Sequence, residues 1–335
     1  MLGLIFFVSL AISWLLVGGV RRLAVRVGVL DVPNERSSHL VPTPRGGGIA
    51  IVLMTIAAAM LNAKSSGGFG TSVLTWFLGG GLIAAIGFID DRRGLDARVR
   101  LFAQFVSAAI LLVAFGGPPD VPVGAGTVSL GAGGWLIAVP AVVWSVNLFN
   151  FMDGVDGLAA SQAIFVFGGA IAVAHGGGMQ GQTLPFLVLA AASAGFLVWN
   201  YAPAKIFMGD VGSGFLGYAV AVGALATSGT GAVTVWTWLV LDAAFIADAT
   251  TTLAARLVSG RQLFQAHRLH AYQRLARRFG SHRAVTALYA AINLLWCLPW
   301  AIATTRWPGA GWALTAAALA PLLLAAAGLG AGTEE

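Results

Sequence analysis

Gly134-Trp-Leu-Ile-Ala-Val-Pro140-Ala-Val-Val-Trp-Ser-Val-Asn147-Leu-Phe-Asn150-Phe-Met-Asp153-Gly154-Val-Asp156-Gly157 is an apolar run that closes on two amides and two carboxylates. A helix needs about 20 mostly apolar residues to cross the hydrocarbon core of a bilayer. Ionisable groups at the margin of such a segment are costly and usually mark a functional site. Asn147, Asn150 and Asp153 recur every three residues, so on a helix they fall along one stripe. Gly154 and Gly157 let the backbone turn sharply and come close to a ligand. Oxygen ligands beside such a turn suit a hard cation such as Mg²⁺ and the phosphates it bridges.

The rest of the chain repeats the apolar pattern. Hydrophobic residues make up 58% and charged residues 10% of the 335, with a mean hydropathy of +0.85. These values predict an all-α, polytopic integral membrane protein. Eleven spans are expected, at 2–20, 46–62, 72–89, 101–116, 134–150, 158–175, 183–200, 211–227, 232–252, 284–303 and 310–328. Forty-five glycines suit close helix–helix approach in lipid. No polar segment is long enough for a separate soluble domain, so one domain over 1–335 is expected. Cys297 is the sole cysteine, which excludes an intrachain disulfide; it lies in an apolar span and reads as packing.

Basic residues orient the spans. The first apolar run has none before it and Arg21, Arg22 and Arg26 after it, the reverse of a secretory signal. With eleven spans, the loops 21–45, 90–100, 151–157, 201–210 and 253–283 lie on one side and hold seventeen of the nineteen Lys and Arg. The other side holds Lys64 and Arg306. The rich side is expected to be cytoplasmic, with the N-terminus outside and the C-terminus inside. The net charge of +6 then belongs to loops facing anionic lipid and anionic substrates, and nucleic acid is not an expected partner. Asp90, Asp91, Asp96, Asp153, Asp156 and Asp210 fall on this same side, at the ends of different spans.

Four further stretches carry chemistry. Gly87-Phe-Ile-Asp90-Asp91-Arg-Arg-Gly94 closes the third span. Adjacent carboxylates repel unless a cation or proton lies between them; the alternative is a solvated helix end beside Arg92 and Arg93. Phe207-Met-Gly-Asp210-Val-Gly212-Ser213-Gly214 opens the eighth span, where backbone N–H groups favour anions and Asp210 can hold a bridging cation. The alternative there is an N-cap with glycine turns. His267-Arg268-Leu-His270-Ala-Tyr272-Gln273-Arg274 suits a diphosphate, by bidentate contact from Arg and hydrogen bonding from His. It equally reads as an interfacial segment held to anionic lipid by Arg274, Arg277 and Arg278. If it is helical, His267, His270 and Arg274 share a face. In Asp31-Val-Pro-Asn-Glu35-Arg36-Ser-Ser-His39, followed by Pro42-Thr-Pro44-Arg45-Gly46-Gly47-Gly48, Arg36, His39 and Arg45 can meet phosphate. Asp31 and Glu35 read as parts of an ordered loop. Asp248 can orient the loop after its span; Asp242 receives no role, and His175 and His282 read as ordinary loop positions.

Five blocks in order resemble one family, the polyprenyl-phosphate N-acetylhexosamine-1-phosphate transferases of glycosyltransferase family 4. They are Pro-Thr-Pro-Arg-Gly-Gly-Gly at 42–48, Asp-Asp at 90–91, Asn-x-x-Asn-x-x-Asp-Gly-x-Asp-Gly at 147–157, Phe-Met-Gly-Asp-x-Gly-Ser at 207–213 and His-Arg-x-His-x-Tyr-Gln-Arg-Leu at 267–275. The resemblance implies transfer of a sugar 1-phosphate from a UDP-sugar to undecaprenyl phosphate, with release of UMP. It implies Mg²⁺ or Mn²⁺ and the cytoplasmic face of a bacterial inner membrane, and it is compatible with a homodimer. By resemblance Asp90, Asp91 and Asp210 are catalytic, and Asp210, Asp91 and Asp153 surround the metal. Arg45, Asn147, Asn150, Asp153, Asp156, Asn200, His267, Arg268 and His270 would bind substrate. Gly94 stands where the lipid I enzymes carry Lys, and the basic block lacks their His-rich run. Both departures point to the branch that starts O-antigen or other surface polysaccharides from UDP-GlcNAc or a deoxy derivative.

Two rivals make different demands. A Mg²⁺-dependent intramembrane prenyltransferase has no place for the Gly-Asp-x-Gly-Ser and His-Arg-x-His blocks. A secondary transporter calls for internal repeats and midplane helix breaks; no repeat is visible, and Asp242 is the one feature in its favour.

Overall fold

The computed structural model describes residues 1–33, 41–66, 68–174, 179, 181–228, 231, 233–261 and 267–334. Glu35, Arg36, His39 and His175 lie outside the described residues. Helices account for most of the described residues, as the apolar runs predict. α1 (Leu2–Val27) leads to a two-residue antiparallel ladder of β1 (Leu30–Asp31) and β2 (Thr43–Pro44), then α2 (Gly48–Ser66). α3 (Phe69–Arg93) contains a π-helical stretch over Val73–Gly80. α4 (Ala97–Ala114) starts where the Asp96 carboxylate accepts from Arg98 N at 2.7 Å. A second small ladder, β3 (Val121–Val123) with β4 (Gly126–Val128), precedes α5 (Trp135–Met152). α6 (Leu158–Val173), α7 (Thr183–Asn200) and α8 (Asp210–Ser228) follow. The chain continues through α9 (Val235–Leu241), α10 (Ala243–Val258), α11 (Ala271–Phe279), α12 (His282–Arg306) and α13 (Gly311–Gly328).

Helix covers most of each expected span among the described residues. Among the described residues, eight helices are long and apolar enough to cross a bilayer, namely α1, α3, α4, α5, α7, α8, α12 and α13. The protein is an integral membrane protein. α2 and α6 are apolar but shorter.

One expectation needs correction. The span at 232–252 is not a continuous helix, because α9 and α10 meet at 77°. Neither Pro nor Gly occurs between 235 and 258. The break falls at Asp242, and Gln162 of α6 reaches into it. Its Nε2 donates to Leu241 O at 3.3 Å and to Asp242 Oδ1 at 2.9 Å. A carbonyl freed from the helix ladder away from water needs such a partner. Asn293 Nδ2 of α12 donates to Gln162 Oε1 at 2.6 Å and completes the group.

α8 is the axis of the bundle. Its apolar window is 78% buried, against 22% for α1 and for the last helix. A helix apolar on every side belongs in the middle, and small residues let its neighbours close on it. Ser145 Oγ of α5, for example, donates to Gly217 O at 2.7 Å. Farther out, Phe186 packs against Phe167 and Trp238 with ring centroids 5.3 and 5.5 Å away. Because α8 is central, its first residue, Asp210, lies among the last residues of α3, α5 and α7.

Candidate active site

A cleft of about 680 Å³ opens at that meeting point. Pockets of roughly 300–1,000 Å³ suit ligands of nucleotide size. Asp91 enters from α3, Asn150 from α5, Asn200 from α7 and Asp210 from α8. The turn after α5 adds Asp153 and Asp156, and the β1–β2 ladder adds Asp31 and Arg45. Arg268, Gln273, Arg277 and His282 complete the lining as its basic and polar wall.

The acidic wall is built on backbone. Asp91 Oδ1 accepts from Asp210 N at 3.0 Å and Oδ2 from Val211 N at 3.3 Å, so the end of α3 caps the start of α8. Two glycines make this approach feasible. A Cβ at Gly87 would lie 2.5 Å from the carbonyl carbon and oxygen of Asp210. Gly209 turns the chain with φ +77° directly against the Asp91 carboxylate. Asp90 lies beside the cleft, outside its lining. It accepts from Leu95 N at 2.5 Å and from Arg100 Nη1 at 2.8 Å. Arg100 Nη1 is also 3.6 Å from Asp210 Oδ2 and so bridges the two carboxylates. No motif in the sequence singled out Arg100.

Asn147 and Asn150 do not share one role. Asn150 Nδ2 donates to Ser213 Oγ on α8 at 3.2 Å and lines the cleft. Asn147 is absent from the lining; its Nδ2 donates to Gln104 Oε1 of α4 at 2.7 Å. The i, i+3 stripe of a helix precesses around its axis, and here it points the two amides at different neighbours. Asn200 ties the loops together. Its Oδ1 accepts from Gly157 N at 2.8 Å and its Nδ2 donates to Ile206 O at 3.0 Å. Asp156 accepts from Ala204 N at 3.0 Å and lies 3.3 Å from His282 Nδ1. His282, which read as an ordinary loop position, is thus part of the wall. Asp31 is as well: it pairs with Arg45 Nη2 at 2.8 Å, while Arg45 Nη1 stands 4.0 Å from Asp91 Oδ1.

The basic block is arranged differently from a single helical face. Residues 267–269 are not helical, and α11 begins only at Ala271. Arg268 reaches the cleft. His270 is 3% exposed, with Nδ1 3.3 Å from Asp248 Oδ1, and neither it nor His267 lines the cleft. The His267 ring stacks on His270 at 5.0 Å. Burial, then His270 and Arg256, lower its pKa to about 4, so the ring is neutral near pH 7. Tyr272 donates from Oη to Phe151 O at 2.9 Å. Enclosure, then Asp248 and Asp153, raise its pKa above the ordinary value, so it remains a donor.

The donor set fits a hard cation. Asp153 is pushed well above the ordinary carboxylate range by burial, then by Asp210 and Asp91. Carboxylates gathered in this way favour a bound cation or a proton. No three His, Cys, Asp or Glu side chains among the described residues already form a metal cage. That matches Mg²⁺, which usually takes one or two carboxylates and completes its shell with substrate phosphates and water.

The sequence is similar to that of known proteins. The family model described as glycosyl transferase family 4 matches residues 73–228. The chain is 35% identical over 326 residues to the decaprenyl-phosphate N-acetylglucosaminephosphotransferase of Mycolicibacterium smegmatis, covering 88% of this chain and 80% of the relative. It is 34% identical over 224 residues to a probable undecaprenyl-phosphate N-acetylglucosaminyl 1-phosphate transferase of Bacillus subtilis, covering 65% and 60%. Against the phospho-N-acetylmuramoyl-pentapeptide-transferase of Geobacillus kaustophilus, identity is 26% over 309 residues, covering 88% and 93%. The chain belongs to the family of polyprenyl-phosphate sugar-1-phosphate transferases, glycosyl transferase family 4.

Proposed function

We propose that this protein transfers N-acetylglucosamine 1-phosphate, or a close deoxy derivative, from its UDP-sugar to undecaprenyl or a similar polyprenyl phosphate and releases UMP. The whole chain acts as one transferase domain in a bacterial inner membrane, with the cleft toward the cytoplasm. The supporting observation is the cleft itself: Asp91, Asp153 and Asp210 line it together with Arg268 and Arg277 at the end of a membrane bundle. The loops at this end also hold most of the Lys and Arg. The higher identity to N-acetylglucosamine transferases than to a muramoyl-pentapeptide transferase supports the sugar. The product would begin a cell-surface polysaccharide such as an O-antigen.

In this reading an oxygen of the lipid phosphate forms a bond to the sugar-bearing phosphorus. The bond from that phosphorus to the oxygen bridging to uridine phosphate breaks, and UMP leaves with the electron pair. Phosphoryl transfer needs positioning and charge neutralisation more than covalent chemistry. Bound Mg²⁺ or Mn²⁺ would neutralise charge on the diphosphate, with Asp210 as its leading ligand and Asp91 and Asp153 around it. A phosphate monoester has a second pKa of about 6, so the acceptor is already largely ionised at pH 7. Asp90 then acts through Arg100, whose guanidinium it holds beside Asp210 and which would meet the acceptor's charge. Arg45, held by Asp31, and Arg268 contact donor phosphates. Asn150 and Asp156 complete the nucleotide wall, and Asn200 keeps the loops in place.

The test is direct. Purified protein with undecaprenyl phosphate, MgCl₂ and a panel of UDP-N-acetylhexosamines should release UMP, fastest from UDP-GlcNAc. Folded protein that yields no UMP from any donor sinks the proposal.

A further inference from the structure

The basic wall rests on a residue outside the cleft. Resting on the function proposed above, we propose that Asp248 is a positioning residue for donor binding, holding α11 and the 268–270 segment against the cleft from behind. Asp248 lies on α10 and is 2% exposed. Its Oδ1 accepts from Ala271 N at 2.9 Å and its Oδ2 from Tyr272 N at 2.8 Å. Tyr289 Oη of α12 donates to Oδ2 at 2.6 Å, and the His270 ring nitrogen is 3.3 Å from Oδ1. Thr252 Oγ1, one turn along α10, donates to Oδ1 at 3.4 Å.

The two amides are the first of α11, which lack partners within their own helix. Asp248 therefore caps α11 from another helix. A nine-residue helix is marginal by itself, so its anchored end sets where it lies. α11 also lines the cleft, through Gln273 and Arg277. Arg277 Nη1 donates to Arg268 O at 3.1 Å, which couples the helix to the preceding segment. Tyr272, fixed by its amide on Asp248, reaches Phe151 O two residues before Asp153. Loosening one carboxylate would thus move Arg268, Gln273 and Arg277 together while leaving Asp91 and Asp210 in place.

Two measurements on the full-length protein test this, hydrogen–deuterium exchange across 268–277 and titration with UDP-GlcNAc and MgCl₂. In Asp248→Asn, a buried carboxylate acceptor is lost, and exchange at Ala271 and Tyr272 should quicken about tenfold. The dissociation constant for UDP-GlcNAc should rise about tenfold, with kcat at saturation within about threefold of wild type. Combining Asp248→Asn with Arg268→Ala should cost less than the product of the two single effects, since both act through one contact. Unchanged exchange, unchanged affinity in folded Asp248→Asn, or a multiplicative double variant would each overturn the proposal. If Asp248→Asn does not fold, Tyr289→Phe removes one bond only and should weaken donor binding about threefold; wild-type affinity and exchange there also overturn it. Wild-type protein that binds no UDP-GlcNAc would instead refute the proposed function, and exchange alone would then decide the anchor.

Discussion

Asp91 and Asp210, on one wall of the cleft, are joined through backbone amides at the start of the central helix. Arg268 and Arg277, on the basic wall, travel with a nine-residue helix anchored by the buried carboxylate of Asp248. The first wall cannot shift without repacking α3 against α8, where Gly87 leaves no room for a methyl group. The second is placed by the Asp248 anchor and by the bond from Arg277 to Arg268 O. In the proposed function the first group would neutralise charge where bonds change, and the second would grip the donor. The acidic wall should accordingly govern turnover and the basic wall affinity.

The largest effect should come from the acidic wall. Asp210→Asn is expected to lower kcat by about 10²–10³-fold, the cost of losing one preorganised electrostatic partner. More than a tenth of wild-type turnover would break the comparison. Gly87→Ala should come next: overpacking costs about 1–3 kcal/mol, so the thermal midpoint in detergent should fall and activity with it. A variant as stable and active as wild type would mean that α3 and α8 are not locked. On the other wall, Arg268→Ala should raise KM for the UDP-sugar about tenfold, with kcat nearly unchanged. A loss confined to kcat would show that the two walls do not divide the work.

A smaller effect should appear in the pH profile. Burial, then Asp210 and Asp91, raise the pKa of Asp153, so protons compete with a cation for its carboxylate above the ordinary acid range. At limiting Mg²⁺, activity should fall as the pH drops through that raised pKa. A tenfold increase in Mg²⁺ should move the acidic limb down by up to about one pH unit. A limb that ignores Mg²⁺ would count against Asp153 as a ligand. The smallest effect should be that of Asn147→Ala, within about twofold in kcat/KM, since Asn147 binds Gln104 and is absent from the cleft lining. A loss approaching that of Asp210→Asn would return Asn147 to the site.

Much of this molecule was legible in its residues. The all-α, membrane-embedded class follows from apolar run length, because the bilayer sets a minimum length that eight of these helices meet. The acidic wall was legible because Asp91, Asp153 and Asp210 interrupt apolar context, where charge is costly. Arg100 and His282 were not, because an arginine or histidine in the polar first turn of a helix carries no such signal. Asp31 and Arg45 sit in a loop whose ladder brings them to Asp91, and nothing local announces that contact.

The sequence by itself determined a helical membrane bundle with a carboxylate-rich site at its basic end, since burial and charge cost act residue by residue. Tertiary structure decided which of those residues share the cleft. Asn147 turned to Gln104, His270 turned to Asp248, and the ninth span bent at Asp242 around Gln162. Each outcome depends on a partner more than forty residues away or on another helix. Spacing along one helix fixes angles about its axis, but which neighbour fills each angle is settled only when the helices pack.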